Sequence, residues 1–211
     1  MAETNPHRIL KRLDQNLAHP TELTLFGRAA LALGFGQALA EWGTTLDIDL
    51  IVASHLAARL EQDDPFWEAI EKTNAQLAPS GLYLTHIFDE HQLIIRPGWY
   101  AQKQRIELSE LGKITLYRPA TLDLILTKMA RADDPEDRRD ILTMMALDRL
   151  SPQAVRQAIG DARVPDLPDL LEQFHRSKAF IEEQLAMPPE VSQRPDTTRK
   201  RDGPGSRGMK L

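Results

Sequence analysis

The chain has 211 residues, of which 42% are hydrophobic, and it contains no cysteine. That length suffices for one substantial domain with or without a small appendage, and the lack of cysteine excludes disulfides and thiolate zinc sites. The sequence has no run of eighteen apolar residues, and its N-terminal segment MAETNPHRILKR has no apolar signal-peptide core. We therefore expect a cytoplasmic protein with no membrane partner.

The net charge is −5, and the end of the chain is nevertheless basic. Because phosphate neutralisation dominates nucleic-acid binding, the acidic body argues against a dedicated nucleic-acid surface. Residues 188–211 are rich in Pro, Gly, Ser and charge. We predict that they form a disordered tail, since so little apolar surface cannot offset the entropy of ordering.

Residues 1–118 alternate predicted strands and helices, and we assign them to one core. In chain order these are a helix (6–17), a strand (23–26), a short helix (29–33), a strand (46–53), two helices (55–60 and 65–77) and four strands (82–88, 93–96, 105–108 and 113–117). This order predicts an α+β fold, with a mixed β-sheet flanked by helices.

Residues 119–187 carry only helical patterns, and we assign them to a helical region packed on the core. The first predicted helix spans 121–130. The second begins with Asp134 as its N-cap and Pro135 at its first position. The third runs from Ser151-Pro152 to Gly160, and the last covers about 167–185.

A D-x-D pair, Asp47 and Asp49, lies in the strand 46–53. Side chains two positions apart share a face of a strand, with Cβ atoms roughly 7 Å apart, so the two carboxylates repel each other. A divalent cation would relieve that repulsion and use the oxygens as ligands. Gly27, at the mouth of the helix 29–33, offers backbone N–H groups and a helix dipole to phosphate. This arrangement favours phosphoryl or nucleotidyl transfer.

The runs GRAALALGF and TTLDIDLIV resemble the G-[GS]…D-x-D signature of nucleotidyltransferases of the DNA polymerase beta-like superfamily. Four blocks, LTLFGRAALALGF, TLDIDLIV, THIFDEHQLIIRP and LDLILTKMARADDPEDRRDI, resemble more closely an uncharacterised bacterial family of such domains. That family is akin to the nucleotidyltransferases of toxin–antitoxin systems. The resemblance spans residues 23–147.

The resemblance implies a nucleotidyltransferase-like core and a set of site residues. Gly27 would bind the triphosphate of an NTP, and Asp47 and Asp49 would hold Mg²⁺ as catalytic residues. Lys128 matches a lysine of the resembling family, and it could reach the triphosphate or pair with acidic side chains. Arg28 stands where the signature has Ser or Gly. Its guanidinium group could bind phosphate through two parallel hydrogen bonds. Alternatively, its side chain could fill the phosphate-binding turn and weaken nucleotide binding.

Active members of the superfamily carry a third carboxylate on a neighbouring strand. Asp89 and Glu90, at the end of the strand 82–88, are the candidates here, and we favour Glu90 as the third catalytic residue. Trp99 could stack on a base, but we expect it to pack on a loop. Arg131 could bind phosphate or lie on the surface.

These residues predict an Mg²⁺-dependent nucleotidyltransferase that moves an NMP from an NTP to an RNA or protein acceptor. The resemblance also implies a toxin–antitoxin component with a cognate toxin or antitoxin as partner. The alternative is a nucleotidyltransferase fold that has lost catalysis and acts by binding a nucleotide or a partner protein. Arg28 and the uncertain third carboxylate motivate that alternative.

Overall fold

The computed structural model describes residues 3–186, and within that range it contains a five-stranded mixed sheet and eight α-helices. The α+β class and the helical C-terminal region predicted from the sequence are confirmed. The predicted disordered tail lies outside the described residues. No helix of the described part is long and apolar enough to cross a membrane.

The sheet has the strand order β3-β2-β1-β5-β4. Strand β2 pairs antiparallel with β1 and parallel with β3, while β5 pairs parallel with β1 and antiparallel with β4. The strands are β1 (Thr21–Phe26), β2 (Asp47–Val52), β3 (Tyr83–Asp89), β4 (Gln104–Ile106) and β5 (Ile114–Arg118). The sheet therefore places the D-x-D strand between β1 and the edge strand β3.

The helices occupy the predicted regions. They are α1 (Asn5–Asn16), α2 (Gly27–Gly34), α3 (Ser54–Glu61), α4 (Asp64–Leu77), α5 (Thr121–Lys128), α6 (Pro135–Leu147), α7 (Pro152–Gly160) and α8 (Pro168–Ala186). The predicted cap of α6 is confirmed, since the Asp134 side chain accepts from the N–H groups of Glu136 and Asp137. Helices α1 and α4 pack together and contact β2 and β3, whereas α6 and α7 pack on α5.

One segment differs from the sequence prediction. The predicted strand 93–96 is wrong: Ile95 forms only an isolated antiparallel bridge with Arg163. Ile94 and Ile95 are nonetheless buried, so the apolar run reflects a buried loop, and Pro97 then prevents the strand from continuing. The segment before β2 contains a short 3₁₀ turn, Ala40–Thr44, which carries the fully buried Trp42.

The pairing of β1 with β2 sets the geometry of the candidate site. Phe26, the last residue of β1, lies opposite Asp49, and α2 begins at the next residue, Gly27. The first turn of α2 is thereby held beside the start of β2. Ile48 and its neighbour Leu84 on β3 are buried on one face of the sheet. Asp47 and Asp49 flank Ile48 along β2, so their side chains lie on the opposite face.

Candidate functional site

Asp47 and Asp49 lie on the same face of β2, and each carboxylate is held by one threonine. The Thr45 hydroxyl donates to Asp47 Oδ1 over 2.9 Å, and the Thr85 hydroxyl donates to Asp49 Oδ1 over 2.8 Å. Within residues 3–186, neither Oδ2 atom accepts a hydrogen bond from a protein donor. One oxygen of each aspartate is therefore held by a hydrogen bond. The second oxygen of each is available to a ligand.

Gly27 lies close to Asp49 of this pair. Its φ of +64° is in the left-handed region, and a Cβ at this position would lie 3.6 Å from Asp49 Oδ2. No side chain caps the N-terminus of α2, which starts at Gly27. The Asp49 carboxylate and the uncapped backbone N–H groups of the first turn of α2 are therefore neighbours. A side chain at position 27 would fill the space beside Asp49 Oδ2.

Burial raises the pKa of Asp49, and the negative charge of Asp47 raises it further, while the hydrogen bond from Thr85 opposes the shift. A carboxylate in this position is less stable when ionised than it would be in water. A cation between the two carboxylates would offset both the burial of the Asp49 charge and its repulsion by Asp47. Hard oxygen donors suit Mg²⁺, which completes its octahedron with water and substrate phosphates, so the residues present fit that ion.

A β-bulge on β3 shapes the other side of the site. The register passes from Ile48 opposite Leu84 to Asp49 opposite His86, so Thr85 is the extra residue. As a result both Thr85 and His86 approach Asp49, and the His86 Nδ1 lies 3.8 Å from Asp49 Oδ1. The residue pattern of this strand gives no signal for a bulge at its third residue.

The structure does not bring Glu90 to the aspartate pair. Val52 pairs with Asp89 and Asp49 with His86, so the end of β3 is three register steps, roughly 10 Å, from Asp49. The Glu90 carboxylate instead accepts from the Ser54 N–H over 3.0 Å and from the Trp99 indole over 2.6 Å.

Those bonds give Glu90 a structural role. Burial acts to raise its pKa, but the bonds from Ser54 and Trp99 outweigh burial and lower it. Trp99 is only 1% exposed, so the packing role expected for it is confirmed. Asp89 is also engaged, accepting from the Ser54 hydroxyl and the His91 N–H. Of the described residues, Thr85 rather than a third carboxylate faces Asp49 on β3.

Lys128 lies in a buried ionic cluster instead of facing solvent. Its Nζ is 2.6 Å from Asp137 Oδ1 and 2.8 Å from Asp140 Oδ2, and all three side chains are at most 5% exposed. The sequence left open whether this lysine would reach a triphosphate or pair with acids. The structure places it with the acids, where it joins α5 to α6.

Arg28 is engaged by the same cluster. Its Nε lies 3.3 Å from Asp140 Oδ2, and its Nη1 lies 2.9 Å from Glu136 Oε2. The Trp42 indole also donates to Asp140, over 2.7 Å. Arg28 therefore points towards α6. Glu136 and Asp140 neutralise its positive charge, which a bound phosphate would otherwise use.

Arg131 is the cation of this region that remains accessible. Its side chain is 67% exposed, and its two Nη atoms contact Asp134 at 3.3 Å and Asp137 at 2.7 Å. The second contact is ionic, because Asp137 Oδ2 has no well-oriented hydrogen bond. The positive charge of Arg131 also acts, weakly, to lower the pKa of Asp49.

The sequence left a pairing of Lys128 with acidic side chains open, but it did not determine that Asp137 and Asp140 are the partners. The available signal was the spacing of Asp137 and Asp140 along α6, because residues three apart share a helix face. That face contacts α5, which carries Lys128.

Replacing Gly27 by Ala tests the close approach of Asp49. We expect the free energy of unfolding to fall by about 1–2 kcal/mol, because L-residues are strained at positive φ. We also expect binding of Mg²⁺–NTP to be lost, since the methyl group enters the space beside Asp49 Oδ2. Calorimetry measures both effects.

Gly81 supplies the matched control, because it has the same φ of +64° and an added Cβ would meet nothing within 4 Å. Gly81→Ala should cost similar stability and leave nucleotide binding unchanged. Equal loss of binding in both variants would mean that general destabilisation, and not the Asp49 contact, is responsible.

Comparisons with known proteins do not assign the chain to a family. No protein-family model matches it, and neither a search of curated proteins nor a search of solved structures gave a match. Across the described residues, no group of three or more His, Cys, Asp or Glu side chains is arranged to hold a metal ion. Gly27, Asp47 and Asp49 are therefore the residues whose geometry indicates a function.

Proposed function

We propose that the protein is an Mg²⁺-dependent nucleotidyltransferase with a DNA polymerase beta-like core, moving an NMP from an NTP to an RNA or protein acceptor. One observation supports this most strongly: Asp49 Oδ2 lies against a left-handed glycine that opens an uncapped helix. Asp47 shares the same face and also keeps an oxygen free. The resemblance adds a toxin–antitoxin context.

Each element has a role in this proposal. Asp47 and Asp49 hold the cation, the first-turn N–H groups of α2 bind phosphate oxygens, and Gly27 keeps the space between them open. A bound Mg²⁺ would neutralise charge on the phosphates and favour departure of pyrophosphate. Arg131 is also paired with acids, Asp134 and Asp137, but its side chain is 67% exposed against 22% for Arg28, so it supplies the positive charge in the role first considered for Lys128 and Arg28.

The transfer forms a bond between an acceptor hydroxyl oxygen and the α-phosphorus, and it breaks the bond from that phosphorus to the β-phosphate oxygen. Pyrophosphate leaves, and the hydroxyl proton passes to solvent. Thr85 occupies the β3 position facing Asp49 and is not a base. Positioning and charge neutralisation therefore provide the rate enhancement in this proposal.

The test is transfer of label. The purified protein is incubated with each of the four α-³²P-labelled NTPs, Mg²⁺ and cell extract, and we expect one NTP to label an RNA or a protein. Asp47→Ala and Asp49→Ala should abolish the labelling. Asp169→Ala, an exposed aspartate in the first turn of α8, should leave it unchanged. Absence of transfer from every NTP would contradict the proposal.

A second candidate is a nucleotidyltransferase fold that binds without catalysis. The observation that favours it is the engagement of Lys128 and Arg28 by Asp140 and its neighbours, which removes two cations from the site. Glu90 is likewise engaged elsewhere. Calorimetry separates the candidates. Nucleotide binding that persists in EDTA, or Mg²⁺-dependent binding without any transfer, would favour the binding module.

A further inference from the structure

Aromatic side chains on β3 lie beside the two aspartates of β2. Tyr83 pairs with Asp47, and His86 pairs with Asp49. Neighbours in register across a sheet present their side chains on the same face, and the buried pair Ile48 and Leu84 occupies the opposite face. The carboxylates and the two rings therefore share one surface.

Both rings of this surface are exposed to solvent. Tyr83 is 42% exposed, and the His86 side chain is 68% exposed. Among the described residues, Tyr83 is one of three large hydrophobic side chains that are exposed, and the other two are Leu46 and Leu167. Exposed aromatic rings beside a pair of carboxylates indicate a ligand surface.

His86 packs on aromatic residues that belong to the core. The ring of His86 lies 5.4 Å from that of Phe88, and Phe88 packs edge-to-face on Phe26 at 5.2 Å. Phe26 is 9% exposed and precedes Gly27. The bulge at Thr85 brings His86 opposite Asp49, so the His86 ring is positioned before any ligand binds.

We propose that Tyr83 and His86 form a stacking platform for one unpaired nucleobase beside the Mg²⁺–triphosphate position. This inference rests on the proposed function and adds its base-binding element. Strand β3 (YLTHIFD) contains no Lys or Arg, so a base would be held by its flat face rather than through phosphate contacts. The base belongs either to the NTP itself or to the nucleotide that accepts the NMP.

Three probes test the platform by calorimetry: Mg²⁺–ATP, Mg²⁺–tripolyphosphate and the dinucleoside monophosphate ApA. We expect Tyr83→Ala and His86→Ala each to weaken one base-bearing probe about tenfold, and neither to change the affinity for tripolyphosphate. Weaker ATP binding identifies the base of the NTP, and weaker ApA binding identifies the acceptor base. Tyr83→Phe keeps the ring and should bind like the wild type, as should Leu167→Ala.

Unchanged affinity of both alanine variants for ATP and ApA would overturn the platform. Failure of tripolyphosphate to bind the wild type would instead contradict the proposed triphosphate site. The two failures are therefore distinguishable. Melting temperatures of the variants establish that each remains folded.

Discussion

Replacing Lys128 by Met is expected to lower the melting temperature by about 6–12 °C. Lys128 is the buried cation shared by Asp137 and Asp140, which are 2% and 0% exposed at their side chains. Removing one partner of a buried ionic group leaves the other charges uncompensated and costs about 3 kcal/mol or more. Arg131 and Arg28 remain near the two carboxylates, which keeps the loss towards the lower end of that range.

Lys11→Met is the matched control, because Lys11 forms an exposed ion pair with Glu3. Exposed pairs contribute about 0–1 kcal/mol, so this variant should melt within a few degrees of the wild type. Adding Asp137→Asn and Asp140→Asn to Lys128→Met should recover part of the lost stability. A Lys128→Met protein that melts like the wild type but binds NTP weakly would show that Lys128 serves the nucleotide instead of the fold.

Asp49→Asn is expected to raise the melting temperature of the metal-free protein at neutral pH. Burial and Asp47 make the ionised carboxylate unfavourable, and the neutral amide keeps an oxygen that can accept from Thr85. The same substitution should abolish the stabilisation of the wild type by Mg²⁺–NTP, because stabilisation by a ligand requires binding to the folded state. A gain in stability together with a loss of binding is typical of a residue kept for function.

The pH dependence of this effect has a defined sign. The pKa of Asp49 is higher in the folded protein than the unfolded value of about 3.9, so the folded state binds the proton more tightly. The free energy of unfolding therefore falls as pH rises from about 3.9 through the folded pKa. The advantage of Asp49→Asn should be small below that window and complete above it. A melting-temperature difference between the variant and the wild type that does not vary with pH would contradict this account.

Local patterns in the sequence were enough to put Asp47 and Asp49 on one face and to mark a turn at Gly27. The strand period of two places both aspartates on the same side, with Ile48 buried on the other. A glycine between an apolar strand and a small-residue helix marks a turn that a residue with a side chain forms less readily. The approach of Gly27 to Asp49 depends instead on the antiparallel pairing of β1 with β2, which is tertiary information.

Glu90 and Lys128 were not determined by local pattern. The role of Glu90 depends on bonds from Ser54 and Trp99, which lie in other elements. The bulge at Thr85 depends on how β3 pairs with β2, and its residues fit a regular strand equally well. Lys128 is buried because α6 packs on α5, and an isolated α5 would expose it. Each outcome follows from contacts between elements distant in sequence.

Asp47 and Asp49, opposite Gly27, are proposed to hold a cation together with a polyphosphate. The decisive measurement is isothermal titration of each NTP into the full chain, first with Mg²⁺ and then with EDTA. We expect at least one NTP to bind only in the presence of Mg²⁺, and we expect this binding to disappear in the Asp47→Asn/Asp49→Asn double variant. Equal binding in EDTA, or equal binding by the double variant, would show that the two aspartates hold no such cation.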